Sequence, residues 1–236
     1  MPQNNQQSES GNVFVFILLG VVLFAALSLT VARGFRSTTT SSMSDRKADL
    51  AASEILDYAQ RMERTVDKLR RKGCSENDIS FEYEGTNAYT FATQEKCKVF
   101  SPDGGNLEPW KVRDELGGTK VYSSFRPFRI NGSWKTRNAG TQNAELFLII
   151  GMINKKVCES INNKLGIKRP DGELPKKGGS HIHPVFTGSF SYPSPSHYSW
   201  EHDETVLEGA SSGCVNYEDR DPSNGLQLFY HALIIR

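Results

Sequence analysis

Residues 13–32 read VFVFILLGVVLFAALSLTVA, twenty consecutive positions without a charge. Wound as an α-helix at 1.5 Å per residue, the run is about 30 Å long, the thickness of a bilayer's hydrocarbon core. A helix of a water-soluble domain keeps a polar face, and this run has none. A cleaved secretory signal has a shorter apolar core, a basic residue before it and a small-x-small site after it. Here no Lys or Arg precedes the run, and Arg33-Gly34-Phe35-Arg36 follows it. The stretch reads as a retained single-span anchor, and it sets the plan of the chain.

Working outward, residues 1–11 (MPQNNQQSESG) form a polar leader without Lys or Arg. The transmembrane helix takes 12–33. A Ser/Thr-rich linker takes 34–44, and its run Ser37-Thr38-Thr39-Thr40-Ser41-Ser42 disfavours helix, so a bend or break is expected there. Ser44 then suits an N-cap, with Asp45 in the first turn. An amphipathic helix and a globular α+β domain fill 45–236.

Net charge is +1 and mean hydropathy is -0.48 despite the anchor, so the rest of the chain is strongly polar. That balance points away from nucleic acid and from acidic lipid as generic partners. About 200 residues follow the anchor, enough for one domain with a real core. The four cysteines, Cys74, Cys97, Cys158 and Cys214, are spaced too widely for CxxC zinc or redox motifs. Three pairings are open to them, of which Cys74–Cys97 with Cys158–Cys214 closes the shortest loops; four unpaired buried thiols are the other reading.

From Asp45 to Lys72, Ala48, Ala52, Ile55, Ala59, Met62, Val66 and Leu69 recur at alternating spacings of four and three, with charges off the stripe. The stripe predicts packing against the chain's own sheet, in preference to a thin alanine-rich coiled-coil seam with a second copy. Gly73 is the expected left-handed stop. Strands are predicted at Ile79–Tyr83, Lys98–Phe100, Val121–Ile130 (an edge strand, because of Pro127), Ala144–Ile153 (central), Val185–Phe190 and Leu226–Ile235. A short helix capped by Asn154 and ended by Gly166 is expected to bury Val157, Cys158, Ile161 and Leu165.

Several constellations invite chemistry. Gly209-Ala210-Ser211-Ser212-Gly213 matches G-x-S-x-G, with Asp219, Asp221 and His231 after it. A nucleophile elbow needs a helix after the serine, and the turn-rich residues that follow do not supply one; small residues in a loop explain the match. His181, His183, His197 and His202 gather near Glu201 and Asp203. In a Pro/Ser-rich segment, uncoordinated histidines are the commoner outcome than zinc. Glu218-Asp219-Arg220-Asp221-Pro222-Ser223-Asn224-Gly225 offers hard oxygen donors of the kind calcium takes, but these are also ordinary turn formers and the spacing is not an EF-hand. The basic residues Lys68–Lys72, Lys155-Lys156 and Lys168-Arg169 read as solvated charge, not a DNA surface. Gly117-Gly118-Thr119-Lys120 lacks the spacing of a phosphate-binding loop. No catalytic residue, metal or cofactor is expected.

A polar leader ending in glycine, an apolar helix starting at once, an amphipathic extension and then a small antiparallel sheet resembles the plan of type IV pilins and type II secretion pseudopilins. The segment from Gly11 through Leu27 is also similar to uncharacterised bacterial prepilin-like membrane proteins. The resemblance implies cleavage by a prepilin peptidase between Gly11 and Asn12, and a pilin-like α+β fold with the amphipathic helix packed on the sheet. It implies a structural, non-enzymatic subunit that meets other pilin-like subunits and inner-membrane lipid through its N-terminal helix. Three positions depart from the pattern. Phe16 stands where the family usually has a glutamate, as in some tip-type minor pseudopilins; Asn12 replaces the usual phenylalanine; and the leader lacks basic residues. Arg33, Arg36, Arg46 and Lys47 all follow the span, so flanking charge alone would hold the domain in the cytoplasm. The pilin-like plan and the paired-cysteine reading place it outside, and long domains translocate despite flanking charge. The expectation is a single-pass protein of the bacterial inner membrane with a periplasmic domain, or alternatively a membrane-tethered periplasmic binding or sensory domain that does not polymerise.

Overall fold

The computed structural model describes residues 11–84, 88–110, 128–135, 140–141, 143–177, 185–190, 205–217 and 226–236, and, within the first helix, the side chains at 14–26, 28 and from 44 onward. The chain divides into two units, Met1–Lys47 and Ala48–Arg236. Helix α1, Gly11–Arg71, contributes to both.

In the first unit the backbone is helical from Gly11, and residues 37–42 lie within the bounds of α1. The break expected at the Ser/Thr run is absent, and Ser44 is inside the helix, not at a cap. A hydroxyl side chain can stay in a helix by bonding back to the carbonyl four residues earlier. Ser28, Ser53 and Thr65 all do this.

In the second unit the stripe on α1 behaves as its spacing predicts. Ala48, Ala52, Ile55, Ala59, Met62, Val66 and Leu69 are all buried, in one cluster with Ile130, Leu146, Leu148 and Ile150 of the sheet. Removing each large member from water contributes on the order of 1.5–3 kcal/mol, so this helix is held by the sheet beneath it. It ends at Gly73 in the left-handed region, φ 90°. There the Cys74 amide donates to the Leu69 carbonyl and the Gly73 amide to Arg70, closing the last turn.

Five strands form one sheet in the order β1-β2-β5-β4-β3: β1 Arg129–Trp134, β2 Glu145–Ile153, β3 Lys176–Lys177, β4 Ser212–Tyr217 and β5 Leu226–Ile234. The pairs β1–β2, β2–β5 and β5–β4 are antiparallel, while the two-residue β3 joins β4 in parallel. Because side chains alternate across a strand, Leu146, Leu148 and Ile150 face the cluster under α1. Phe147 and Ile149 face a second cluster with Trp134, Leu207, Val215, Leu228 and Tyr230. Burial on both faces explains why β2 is an unbroken apolar run.

Helix α2, Lys155–Leu165, has the predicted caps: Asn154 Oδ1 accepts from the Lys156 amide at 2.9 Å, and Gly166 is left-handed at φ 74°. Its inner face differs in one residue from the expectation. Leu165, in the last turn, is 37% exposed, and Asn162 is buried instead. The Asn162 amide holds Cys214 at both backbone groups, donating to its carbonyl and accepting from its N–H, each at 2.8 Å.

The two shortest-loop disulfides are present, Cys74–Cys97 and Cys158–Cys214, and no cysteine is free. Other strand expectations need correction. Ile79–Tyr83 and Lys98–Phe100 share only a parallel bridge, Ser80 with Lys98. The Gly105 amide donates to the Lys98 carbonyl and the Leu107 amide to that of Val99, so this turn occupies the edge a longer ladder would use. Residues 185–190 are not a strand, since Gly188 turns the chain at φ 82°. The Phe186 amide donates to the Ile130 carbonyl and so ties them to β1. Residues 121–127 of the expected edge strand lie outside the described residues; β1, starting at Arg129, does occupy the sheet edge.

Candidate functional site

Two places stand out, one in each unit. The first is the apolar part of α1. Phe14 to Leu19 and Val21 to Phe24 are each between 56% and 75% exposed, on every side of the helix. Ten large apolar side chains in this state far exceed the scattered exposure normal for a monomer in water. Among the described residues no helix is long and apolar enough to cross a membrane. Among the described residues nothing lies within 4 Å of where a Gly20 side chain would begin, so the helix surface is open at that position.

The second place is polar. His231 on β5 is paired across the sheet with Ser212 on β4, so both side chains project to the face that α1 covers. Glu63, one residue after buried Met62, reaches down from the helix. His231 Nε2 is 3.0 Å from Glu63 Oε2 and Nδ1 is 2.5 Å from Ser212 Oγ. A carboxylate only accepts, so the partners place the ring proton on Nε2; Nδ1 then accepts from the Ser212 hydroxyl. Burial pushes the imidazole below its ordinary range, and the Glu63 carboxylate partly opposes that shift. The Phe229 ring stacks beside it at 6.4 Å.

The order serine, histidine, carboxylate is that of a hydrolytic triad, but the surroundings are those of a structural tie. His231 is only 6% exposed, and Ser212 opens a strand instead of standing on a strand-to-helix elbow. The serine at the centre of G-x-S-x-G is Ser211, whose carbonyl accepts from the Ala232 amide in the β4–β5 region. The trio fastens α1 to β4 and β5 at one point.

The remaining sequence candidates distribute as follows. Gly11 and Asn12 open helix α1. Asp219 and Asp221, the histidines His181, His183, His197 and His202 with Glu201 and Asp203, the 218–225 segment and Gly117–Lys120 all lie outside the described residues. Among the described residues no group of three or more His, Cys, Asp or Glu is placed to hold a metal ion. Ser212 and His231 belong to the G-x-S-x-G match and the residues after it, whereas Glu63 is not among the sequence candidates. Glu63 lies 168 positions from His231, inside a helix whose charges all look alike, and no local signal marks it.

No family model, curated protein or solved structure matches this chain.

Proposed function

We propose that this protein is a non-enzymatic structural subunit of a pilin- or pseudopilin-like assembly in the bacterial envelope, related to type IV pili or type II secretion. The apolar segment of α1 anchors it in the inner membrane and packs against the same segment of other subunits. The head faces the periplasm, and a prepilin peptidase removes residues 1–11. The observation that carries this reading is the all-round exposure of Phe14 to Phe24. Lipid and sister helices cover such a surface, and water does not. Two disulfides support an oxidising compartment for the head.

A second reading is favoured by Phe16 at the position where the resemblance calls for glutamate: a membrane-tethered periplasmic binding or sensory domain that does not polymerise. Two differently tagged copies expressed together separate the readings. Assembly predicts that they co-purify from carbonate-washed membranes and that Leu23→Lys abolishes both retention and co-purification, since a lysine at mid-span costs about 2.5–3.5 kcal/mol. Membrane retention without co-purification supports the tethered domain.

A further inference from the structure

The two disulfides sit in different surroundings. Cys158 and Cys214 are fully buried where α2 meets β4. The Asn162 amide holds Cys214 there at both backbone groups. Cys74 and Cys97 lie just beyond the C-terminal end of α1 and keep 5% and 3% exposure. Each of these two lines a cleft of its own. Cys74 opens on one of about 480 Å³ with Arg70, Arg71 and Glu76 on its walls. Cys97 opens on one of about 220 Å³ with Gly73, Gln94 and Lys96.

The larger cleft carries a surplus positive charge. Asp67 faces Arg70 at 3.6 Å, and Glu76 meets Arg70 at 2.9 Å and Arg236 at 3.2 Å. Arg71, on the same wall, is exposed and has no ion pair among the described residues. Disulfide exchange is carried out by a thiolate, so access and a nearby cation both favour attack at this bridge. The segment that bears Cys97 does not depend on the bridge for its place. The Ser80 amide donates to the Cys97 carbonyl at 3.1 Å and the Val99 amide to the Ser80 carbonyl at 2.9 Å, while Ile79, Phe81 and Val99 are fully buried. On the other side the Cys74 amide donates to the Leu69 carbonyl. With both flanks fixed, opening the bridge leaves the two sulfurs near each other, ready to close again.

We propose that Cys74–Cys97 is a reversible exchange site for a dithiol reductant, while Cys158–Cys214 is inert under the same conditions. The reductant's thiolate enters the larger cleft and attacks Cys74 Sγ. The Cys74–Cys97 bond breaks, its electron pair leaves on Cys97 Sγ, and that thiolate takes up a proton in the second cleft, beside Lys96. A mixed disulfide now joins Cys74 to the reductant. The reductant's second thiolate attacks its own sulfur in that bond, and the electron pair leaves on Cys74 Sγ, which is protonated in turn. The protein gains two electrons and two protons, and the dithiol loses both and becomes a disulfide. The site belongs to the head alone and holds whether or not the subunits assemble.

The test uses full-length protein in its native membrane, treated with dithiothreitol without denaturant and quenched with light iodoacetamide. The protein is then unfolded, fully reduced and alkylated with the heavy reagent. Light label at Cys74 and Cys97 should appear about ten times faster than at Cys158 and Cys214, at a rate proportional to dithiothreitol. Equal rates for the two pairs, or Cys158 and Cys214 leading, overturn the site, because reduction then follows global unfolding. Glutathione, an anionic monothiol, should be trapped by acid on Cys74 with Cys97 as the free thiol; an adduct on Cys97 overturns the route. Arg71→Glu should slow the glutathione reaction about threefold at low salt, Arg71→Lys should keep the original rate, and ~0.5 M salt should erase the difference. An unchanged rate in Arg71→Glu overturns the part given to that cation. Removing the dithiol and adding oxidised glutathione should restore the bond; thiols that stay free overturn its reversibility.

Discussion

His231 on strand β5 donates an Nε2–H hydrogen bond to Glu63 on helix α1 across 3.0 Å, joining two segments 168 residues apart. The ring is buried, and burial holds its protonation below the ordinary histidine range, with Glu63 opposing. The unfolded chain, with a histidine near 6.5, therefore takes up its proton first as pH falls. Stability is fully present above that value and declines as pH drops from about 6.5 toward the folded-state pKa, with a limiting slope of about 1.4 kcal/mol per pH unit. Urea midpoints measured between pH 7.5 and 5 should show this decline, and His231→Gln should flatten it while lowering stability at pH 7.5. Identical pH profiles for the two proteins would remove the tie from the account.

The bridge Cys158–Cys214 joins α2 to β4, and both cysteines are fully buried. It closes 56 residues of sequence separation against 23 for Cys74–Cys97. Loop-closure entropy then gives about 4 kcal/mol for the longer and about 3 kcal/mol for the shorter. Replacing both cysteines of a pair with alanine should destabilise the head more for 158/214 than for 74/97, read by denaturant unfolding. Native protein should bind no thiol reagent, and denatured, reduced protein should bind four equivalents.

Gly105 is fixed by crowding. A side chain there would overlap the Val99 carbonyl and come within 2.5 Å of Thr65 Cγ2 on α1. Gly105→Ala should cost about 1–3 kcal/mol. Adding Thr65→Ser should recover only part of it, because the carbonyl contact is backbone. A neutral Gly105→Ala would mean that the 98–107 loop does not rest on the helix as described.

Processing is tested at Gly11. Substituting a bulky residue, Gly11→Trp, should leave residues 1–11 on the protein, while the unaltered chain should begin at Asn12 in an intact-mass spectrum. Full-length mass in both would place the leader among the permanent parts of the chain.

The legible parts of this fold are those whose signal is local. The stripe from Ala48 to Leu69, the Asn154 and Gly166 caps and the apolar run of β2 each carry their own period or terminator within a few residues. What stayed hidden depends on partners distant in sequence. Strand β4 opens with Ser212-Gly213 and contains Asn216, and it is a strand because β5 pairs with it along its whole length. Conversely, Ile79–Tyr83 alternates well and still makes isolated bridges, Ser80 to Lys98 among them, in place of a strand of the sheet. Asn162 looks like a surface residue of α2 until Cys214 is brought against it. Of the polar trio, His231 was visible as a candidate and Glu63 was not, since a carboxylate beside a buried stripe is ordinary until the sheet supplies its partner.

The central claim is that the apolar segment of α1 meets its own kind. All native cysteines are paired, so single cysteines placed in turn from Phe14 to Phe24 would be the only free thiols in the protein. Oxidised in the native membrane, they should give disulfide-linked dimers whose yield rises and falls with a helical period, strongest on one stripe of positions three and four apart. Monomer at every position, or a yield that ignores the helical period, would contradict it.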